Sequence, residues 1–261
     1  MSVSIGKAFD ALTSERNNKL NILVFMLISA LLLSAYLYTE TIWMVVFGLL
    51  YSLLISGYSV LLNNNEIKEK NDVFPSIADL GNIFIKGFKY SLGIYLLNLI
   101  WFLPIIILLS IAAIILFAVF QFSNYDCALL LIIPYLIFCF YFIFRIQIPA
   151  ILIFFENLSF KSIFTSNKKE FLEERKGFYV QYLIKSSVAG LIIVSVFVIA
   201  LFLMSLLCSV FAEMFNVSLE TILTIIMIII FTIATPILLI VQANLNAQFV
   251  NFPKTRQSYN W

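Results

Sequence analysis

The sequence predicts an all-α fold: a polytopic membrane bundle of about six transmembrane helices, with short amphipathic helices at the cytoplasmic interface. Three observations predict it. The 261-residue chain is 62% hydrophobic and 11% charged, and its mean hydropathy is +1.04. Soluble domains are nearer half apolar and a quarter charged, and a water-soluble fold of this size has too much surface to cover with so few charges. The apolar residues gather into six long runs, and the basic residues fall almost wholly in alternate segments between them. The same arithmetic excludes a nucleic-acid binder, a disordered tail and a secreted disulfide scaffold. One integral membrane domain is expected over residues 1–261.

The elements follow in order. Residues 1–19 are mixed in charge and lead to no A-x-A cleavage site, so they are not read as a removable signal peptide. Ile5, Ala8, Phe9 and Leu12 share one side, which makes this stretch a candidate amphipathic helix. The apolar runs cover 20–38, 42–62, 90–122, 128–155, 179–212 and 219–250. About 20 residues at 1.5 Å each cross a hydrocarbon core of about 30 Å. The first two runs fit closely, and the other four must tilt, kink or project. Pro104, Pro134, Pro149 and Pro236 each remove a backbone donor and supply kinks. The third run reads as one bent helix, because no polar turn residues accompany Pro104.

Charge sets the direction. With the N-terminus inside, the inside segments hold Lys7, Arg16, Lys19, Lys68, Lys70, Lys86, Lys89, Lys161, Lys168, Lys169, Arg175, Lys176, Lys254 and Arg256. The outside loops hold no basic residue, only Glu40, Asp126, Glu213 and Glu220. This bias is close to saturated for the positive-inside rule. It predicts a multi-pass protein of the cell membrane with both termini cytoplasmic.

Most polar information sits in the two cytoplasmic loops, 63–89 and 156–178. In the first, Pro75 and Ser76 start a helix, with Asp79 at capping-box spacing. Ile77, Leu80, Phe84 and Phe88 form an apolar face opposite Asp79, Asn82, Lys86 and Lys89. Such a helix suits the headgroup plane. In the second, Phe160, Ile163, Phe164 and Phe171 are anchors between charged runs that read as a solvated helical face with i,i+4 pairs. The interfacial residues are expected to be Lys86, Phe88, Lys89, Lys176 and Phe178. Lys86-Gly87-Phe88 recurs as Lys176-Gly177-Phe178, and Glu66 and Glu156 share the same shift. A parallel repeat of 42–122 and 128–212 would explain this; shared membrane composition is the other reading.

Gly57-Tyr58, a polar linker ending in Pro75, Ala78-Asp79-Leu80, Phe84, Lys86-Gly87-Phe88-Lys89 and Ile148-Pro149-Ala150 resemble a domain-of-unknown-function family of small archaeal and bacterial multi-pass membrane proteins. The layout is similar to the membrane region attached to some glycerophosphodiester phosphodiesterases. The resemblance covers roughly a fifth of the chain. Family members usually follow Leu-Pro with an acidic and aromatic pair, where this chain has Phe74-Pro75-Ser76-Ile77. The resemblance implies a membrane fold and carries no activity, substrate or catalytic residue.

No enzyme is expected. The chain has no H-E-x-x-H, G-x-G-D or G-x-S-x-G motif, no Walker lysine, and no carboxylate inside the spans for acid–base work. It has no histidine, and Cys127, Cys139 and Cys208 form no C-x-x-C pair, so no metal site or cofactor is expected. The three thiols read as buried and inert. What remains are polar side chains within the apolar runs. Arg145 is the sharpest, because a charge at mid-bilayer costs about 2.5–3.5 kcal/mol on the insertion scale. Counted back from Phe155 it lies about 15 Å deep; counted from Ala128, about 25 Å precede it and snorkelling covers the remainder. A binding residue and an interfacial anchor both stay open. The candidate binding set is Asn98, Arg145, Gln147, Gln242 and Asn246, a polar vestibule for an anionic headgroup or solute. Gln242, Asn244, Asn246 and Gln248 alternate and cannot all share one helical face. Lys185, near its cytoplasmic end, is expected to snorkel. Gly48, Ser52 and Ser56 on span two and Ser186 and Gly190 on span five are small-residue packing stripes.

Two functions are expected to compete. One is binding or transport of a lipid or small amphiphile from the cytoplasmic side. The other is a non-catalytic scaffold or permease-like subunit that couples to a cytoplasmic protein through the two amphipathic loops. The expected partners are membrane lipids, with a cytoplasmic protein or a second copy as further candidates.

Overall fold

A computed structural model describes residues 3–120, 123–165, 167–215 and 218–252; within these, the side chains of 124, 125, 207–215 and 219 are not described. The described residues are helical, without strands. The helices are α1 (Ile5–Asp10), α2 (Lys19–Tyr38), α3 (Thr41–Ile67), α4 (Leu80–Ala118), α5 (Asn124–Phe142), α6 (Ile148–Asn157), α7 (Lys168–Glu174), α8 (Lys176–Phe215) and α9 (Leu219–Val250). Six segments are long and apolar enough to cross a membrane: Lys19–Tyr38, Thr41–Ile67, Ile77–Ala118, Asp126–Asn157, Lys176–Leu206 and Glu220–Val250. The protein is thus an all-α multi-pass membrane protein, as its composition requires. Helices are the economical way to satisfy the backbone of such segments in lipid.

The chain divides into two compact units, one of residues 1–88 with 175–261 and one of residues 89–174. In the first, α9 packs on α2, α3 and α8, and α2 packs on α3. Its core holds an aromatic knot of Phe25, Tyr58 and Phe74, with ring centroids 4.5–5.7 Å apart. Beside the knot, α3 and the start of α4 cross with their backbones touching. A Cβ on Gly57 would strike the Ile83 carbonyl, and one on Gly87 would strike the Leu53 carbonyl and the Gly57 amide. Only glycine permits this approach. Gly57, Tyr58, Phe74 and Gly87 are therefore pieces of one packing joint.

The second unit holds the rest of α4, then α5, a turn of π-helix at Ile143–Gln147, α6, a 3-10 turn at Phe160–Ile163 and α7. Phe102 packs on Phe138 and Phe142 at 5.4 and 4.9 Å, and Tyr90 on Phe154 and Phe155 at 5.7 Å. Gly93 leaves room for Ile163 and Phe160. Cys127 and Cys139 are free thiols; the Cys208 side chain, and Lys254 and Arg256, lie outside the described residues.

Of two expectations about this stretch, one holds and one changes. Span three is one helix through Pro104, as expected. The amphipathic stretch before it, however, is not a separate interfacial helix. Ser76 caps through the Ala78 amide at 3.2 Å, a 3-10 turn follows, and Leu80 onward is continuous with the span. No proline stands between Leu80 and Pro104 to stop it. Its packed face is Ile83 and Gly87, whereas the expected face leaves Ile77 and Phe88 exposed.

Candidate functional site

Polar side chains meet in two places, one in each unit. In the first unit they lie where the start of α8, the ends of α3 and α9, and the N-terminal segment come together. The α9 amides resolve into two i,i+4 pairs on different faces, which explains the alternation in the sequence. On one face, the Asn246 carbonyl oxygen accepts from the Tyr182 hydroxyl (2.6 Å) and from the Gln242 amide (3.0 Å). The Asn246 amide donates to Asn63 Oδ1 at 2.6 Å, and Asn63 in turn donates to the Ser59 carbonyl. Gln242 also donates to Ser186 Oγ at 2.9 Å.

On the other face, Asn244 donates to Glu66 Oε1 at 2.6 Å. Gln248 donates to Asn244 Oδ1 at 2.7 Å, and its Oε1 accepts from the Ser4 amide at 2.7 Å. Arg16 reaches Glu66 at 3.5 Å while its guanidinium straddles the Lys70 carbonyl at 2.8 and 3.0 Å. Arg175 is buried and donates to the Val250 carbonyl at 3.0 Å, so it does not belong to a solvated face. Lys185 donates to the Val3 carbonyl, a partner within the chain where snorkelling to the interface was expected. Asn63, Asn246 and Glu66 are buried, and each has a partner.

The second place is built by a proline. Pro149 lacks an amide hydrogen, and its ring would press on the carbonyl four residues back, that of Arg145. The helix widens just there. The Ile148 amide bonds the Ile143 carbonyl, five residues back, which is the π-helical bond. π-turns of this kind are frequent at functional sites. The turn carries Arg145, exposed and without a hydrogen bond or ion pair among the described residues.

Arg145 lines a cleft of about 700 Å³ with Lys168 and Lys169 of α7. Leu97, Ile100, Trp101, Ile146 and Leu172 give the cleft an apolar wall, and among the described residues no carboxylate lines it. Lys168 donates one hydrogen to the Thr165 carbonyl at 3.0 Å, and partial burial holds its pKa below the ordinary lysine value. Lys169 has Glu173 at 3.7 Å, an exposed i,i+4 pair of the expected kind and of small energetic weight.

The five candidate binding residues are therefore divided. Arg145, Asn98 and Gln147 belong to the second unit; Gln242 and Asn246 belong to the first. Asn98 and Gln147 line a different, mostly apolar cleft of about 430 Å³ with Tyr95 and Phe102, apart from Arg145. Asn98 Oδ1 is buried there without a partner among the described residues. Gln242 and Asn246 are committed to internal hydrogen bonds. Sequence reading missed that Lys168 and Lys169 line the same cleft as Arg145, because no periodicity links helix α7 to a span residue.

The packing and interfacial residues also separate. Gly48 approaches the Tyr36 ring and Ser186 bonds Gln242, but Ser52 is exposed. A Cβ on Gly190 would meet nothing within 4 Å among the described residues, so that glycine marks no close helix contact there. Ser56 is half-buried, and the tight crossing is made one residue on, at Gly57. Phe88, Lys89 and Lys176 are exposed and Lys86 is half-buried, whereas Phe178 is taken up by Phe252 at 3.4 Å between ring centroids. Compared as a whole, the chain matches no family model, no curated protein and no solved structure.

Proposed function

We propose that this membrane protein binds an anionic lipid or small amphiphile at the Arg145 cleft, from the cytoplasmic side. One observation carries the reading: three cationic side chains line a cleft with an apolar wall and no carboxylate. Guanidinium and ammonium groups favour phosphate or carboxylate oxygens, and the wall of Leu97, Ile100 and Trp101 suits an acyl chain. The basic residues of loop 156–178 support a cytoplasmic position for the cleft by the positive-inside rule. A scaffold coupling through two separate amphipathic helices has weaker support, because residues 77–89 continue into α4.

The test uses the full chain in neutral detergent with a fluorescent phosphatidylglycerol as probe and its phosphatidylcholine counterpart as control. Wild-type protein should retain the anionic probe in preference. Arg145→Gln combined with Lys168→Gln should lose that preference by at least tenfold. Equal retention by wild type and variant sinks the proposal. If the protein also moves its ligand, flux into reconstituted vesicles should fall with the same substitutions.

A further inference from the structure

The charge at the cleft goes beyond attraction for anions in general. Lys169 is partly offset by Glu173 at 3.7 Å. Arg145 has no counter-ion among the described residues, and Lys168 spends only one of its three hydrogens on Thr165. Close to two positive charges are thus left without a carboxylate among the lining residues. A phosphodiester headgroup brings one negative charge and two non-bridging oxygens. A phosphomonoester brings about −1.5 to −2 at pH 7 and three terminal oxygens, with a second pKa of about 6. The arginine fork can take two of those oxygens and a lysine the third. The apolar wall beside the cations distinguishes a lipid from a free phosphate. Resting on the reading above, we infer that the cleft selects a lipid phosphomonoester, with a dianionic head and an apolar tail, over phosphodiester and zwitterionic lipids.

The test is calorimetric titration of the full chain, in neutral detergent, with short-chain phosphatidate, phosphatidylglycerol, phosphatidylcholine and glycerol 3-phosphate. At pH 7.5 phosphatidate should bind at least tenfold more tightly than phosphatidylglycerol. Phosphatidylcholine should be weakest among the lipids, and glycerol 3-phosphate should lose at least tenfold for want of a tail. At pH 5.5, where the monoester holds its second proton, the advantage over phosphatidylglycerol should shrink several-fold. Arg145→Gln should reduce phosphatidate to the affinity of phosphatidylglycerol.

Equal binding of phosphatidate and phosphatidylglycerol, both above phosphatidylcholine, overturns the monoester inference and leaves the anionic reading standing. Equal binding of all three lipids overturns both. Glycerol 3-phosphate binding as tightly as phosphatidate overturns the lipid part of each. The headgroup series on wild-type protein keeps the inference exposed to refutation even if a variant unfolds.

Discussion

The polar end of the first unit gathers amides, hydroxyls and a carboxylate, whereas the Arg145 cleft of the second gathers cations, and the two differ in how far their polar groups are paired. Around α9, Asn63, Tyr182, Gln242, Asn244, Asn246 and Gln248 exchange hydrogen bonds with one another, with Ser186 and with Glu66. In the cleft, Arg145 stands without a partner among the described residues, beside two lysines and about 700 Å³ of space. Polar residues in apolar runs are conspicuous in either case. The difference teaches that their presence does not identify a site; the state of their hydrogen bonds does. A satisfied network specifies packing, while convergent unsatisfied charge with room beside it calls for a ligand.

The strongest way to break this comparison is to exchange the expected consequences. Asn246→Leu keeps the branched outline of the side chain, is larger, and removes the acceptor of the buried Tyr182 hydroxyl and the donor to Asn63 Oδ1. Each stranded group costs about 1–3 kcal/mol, so the loss should be about 2–6 kcal/mol in total. Values toward the lower end are expected, because the chain unfolded within a membrane finds other partners. Unfolding in mixed detergent should show a large destabilisation for Asn246→Leu and none for Arg145→Gln. Adding Tyr182→Phe to Asn246→Leu should cost little more, since the bond is already lost. A destabilised Arg145→Gln with a neutral Asn246→Leu would reverse the assignment of the two regions.

A smaller contrast uses identical sequence. Lys-Gly-Phe occurs at 86–88 and 176–178, but a Cβ on Gly87 would meet the Leu53 carbonyl and Gly57, whereas one on Gly177 would meet no neighbouring element within 4 Å among the described residues. Gly87→Ala should force α3 and α4 apart and cost about 1–3 kcal/mol. Gly177→Ala should be neutral or should stabilise by about 0.5–1 kcal/mol, through helix propensity alone. The same unfolding measurement reads both. Equal effects would mean that the two triplets share a packing role, as a structural repeat would require.

The spans were legible because hydropathy is a property of the chain in one dimension. The continuity of α4 through Pro104 was legible for a related reason: no polar turn accompanies that proline. The fusion of residues 80–89 with span three was harder to read, because amphipathicity marks a face and does not mark an end. Arg145 stood out through its cost in lipid, and Pro149 stood four residues beyond it, at the spacing that disturbs the Arg145 carbonyl. The parity of 242, 244, 246 and 248 also contained the two i,i+4 pairs. What each pair faces could not be read, since Asn63, Glu66 and Tyr182 reach α9 only through tertiary packing. The lysines at 168 and 169 had the pattern of a solvated face, and Lys169 still pairs with Glu173 in that manner; only the fold brings them to Arg145.

The smallest expected effect sharpens the cleft itself. Burial lowers the Lys168 pKa from its ordinary 10.5. A lysine is charged below its pKa, so a lowered value means that the charge is lost earlier as the pH rises. Of the elements packed against α7, the π-turn carries Arg145 and α6 carries Glu156, while Lys169, Glu170, Glu173 and Glu174 lie on α7 itself. Binding of an anionic lipid should therefore weaken at alkaline pH, with a midpoint below that of a free lysine. One cation near a membrane surface is worth about 1 kcal/mol, or roughly fivefold in affinity. Lys168→Arg should keep the charge and flatten this alkaline limb, whereas Lys168→Gln should start at the weakened affinity and also lose the limb. An alkaline limb that persists in Lys168→Gln would assign the titration to another group and remove Lys168 from the set of ligand contacts.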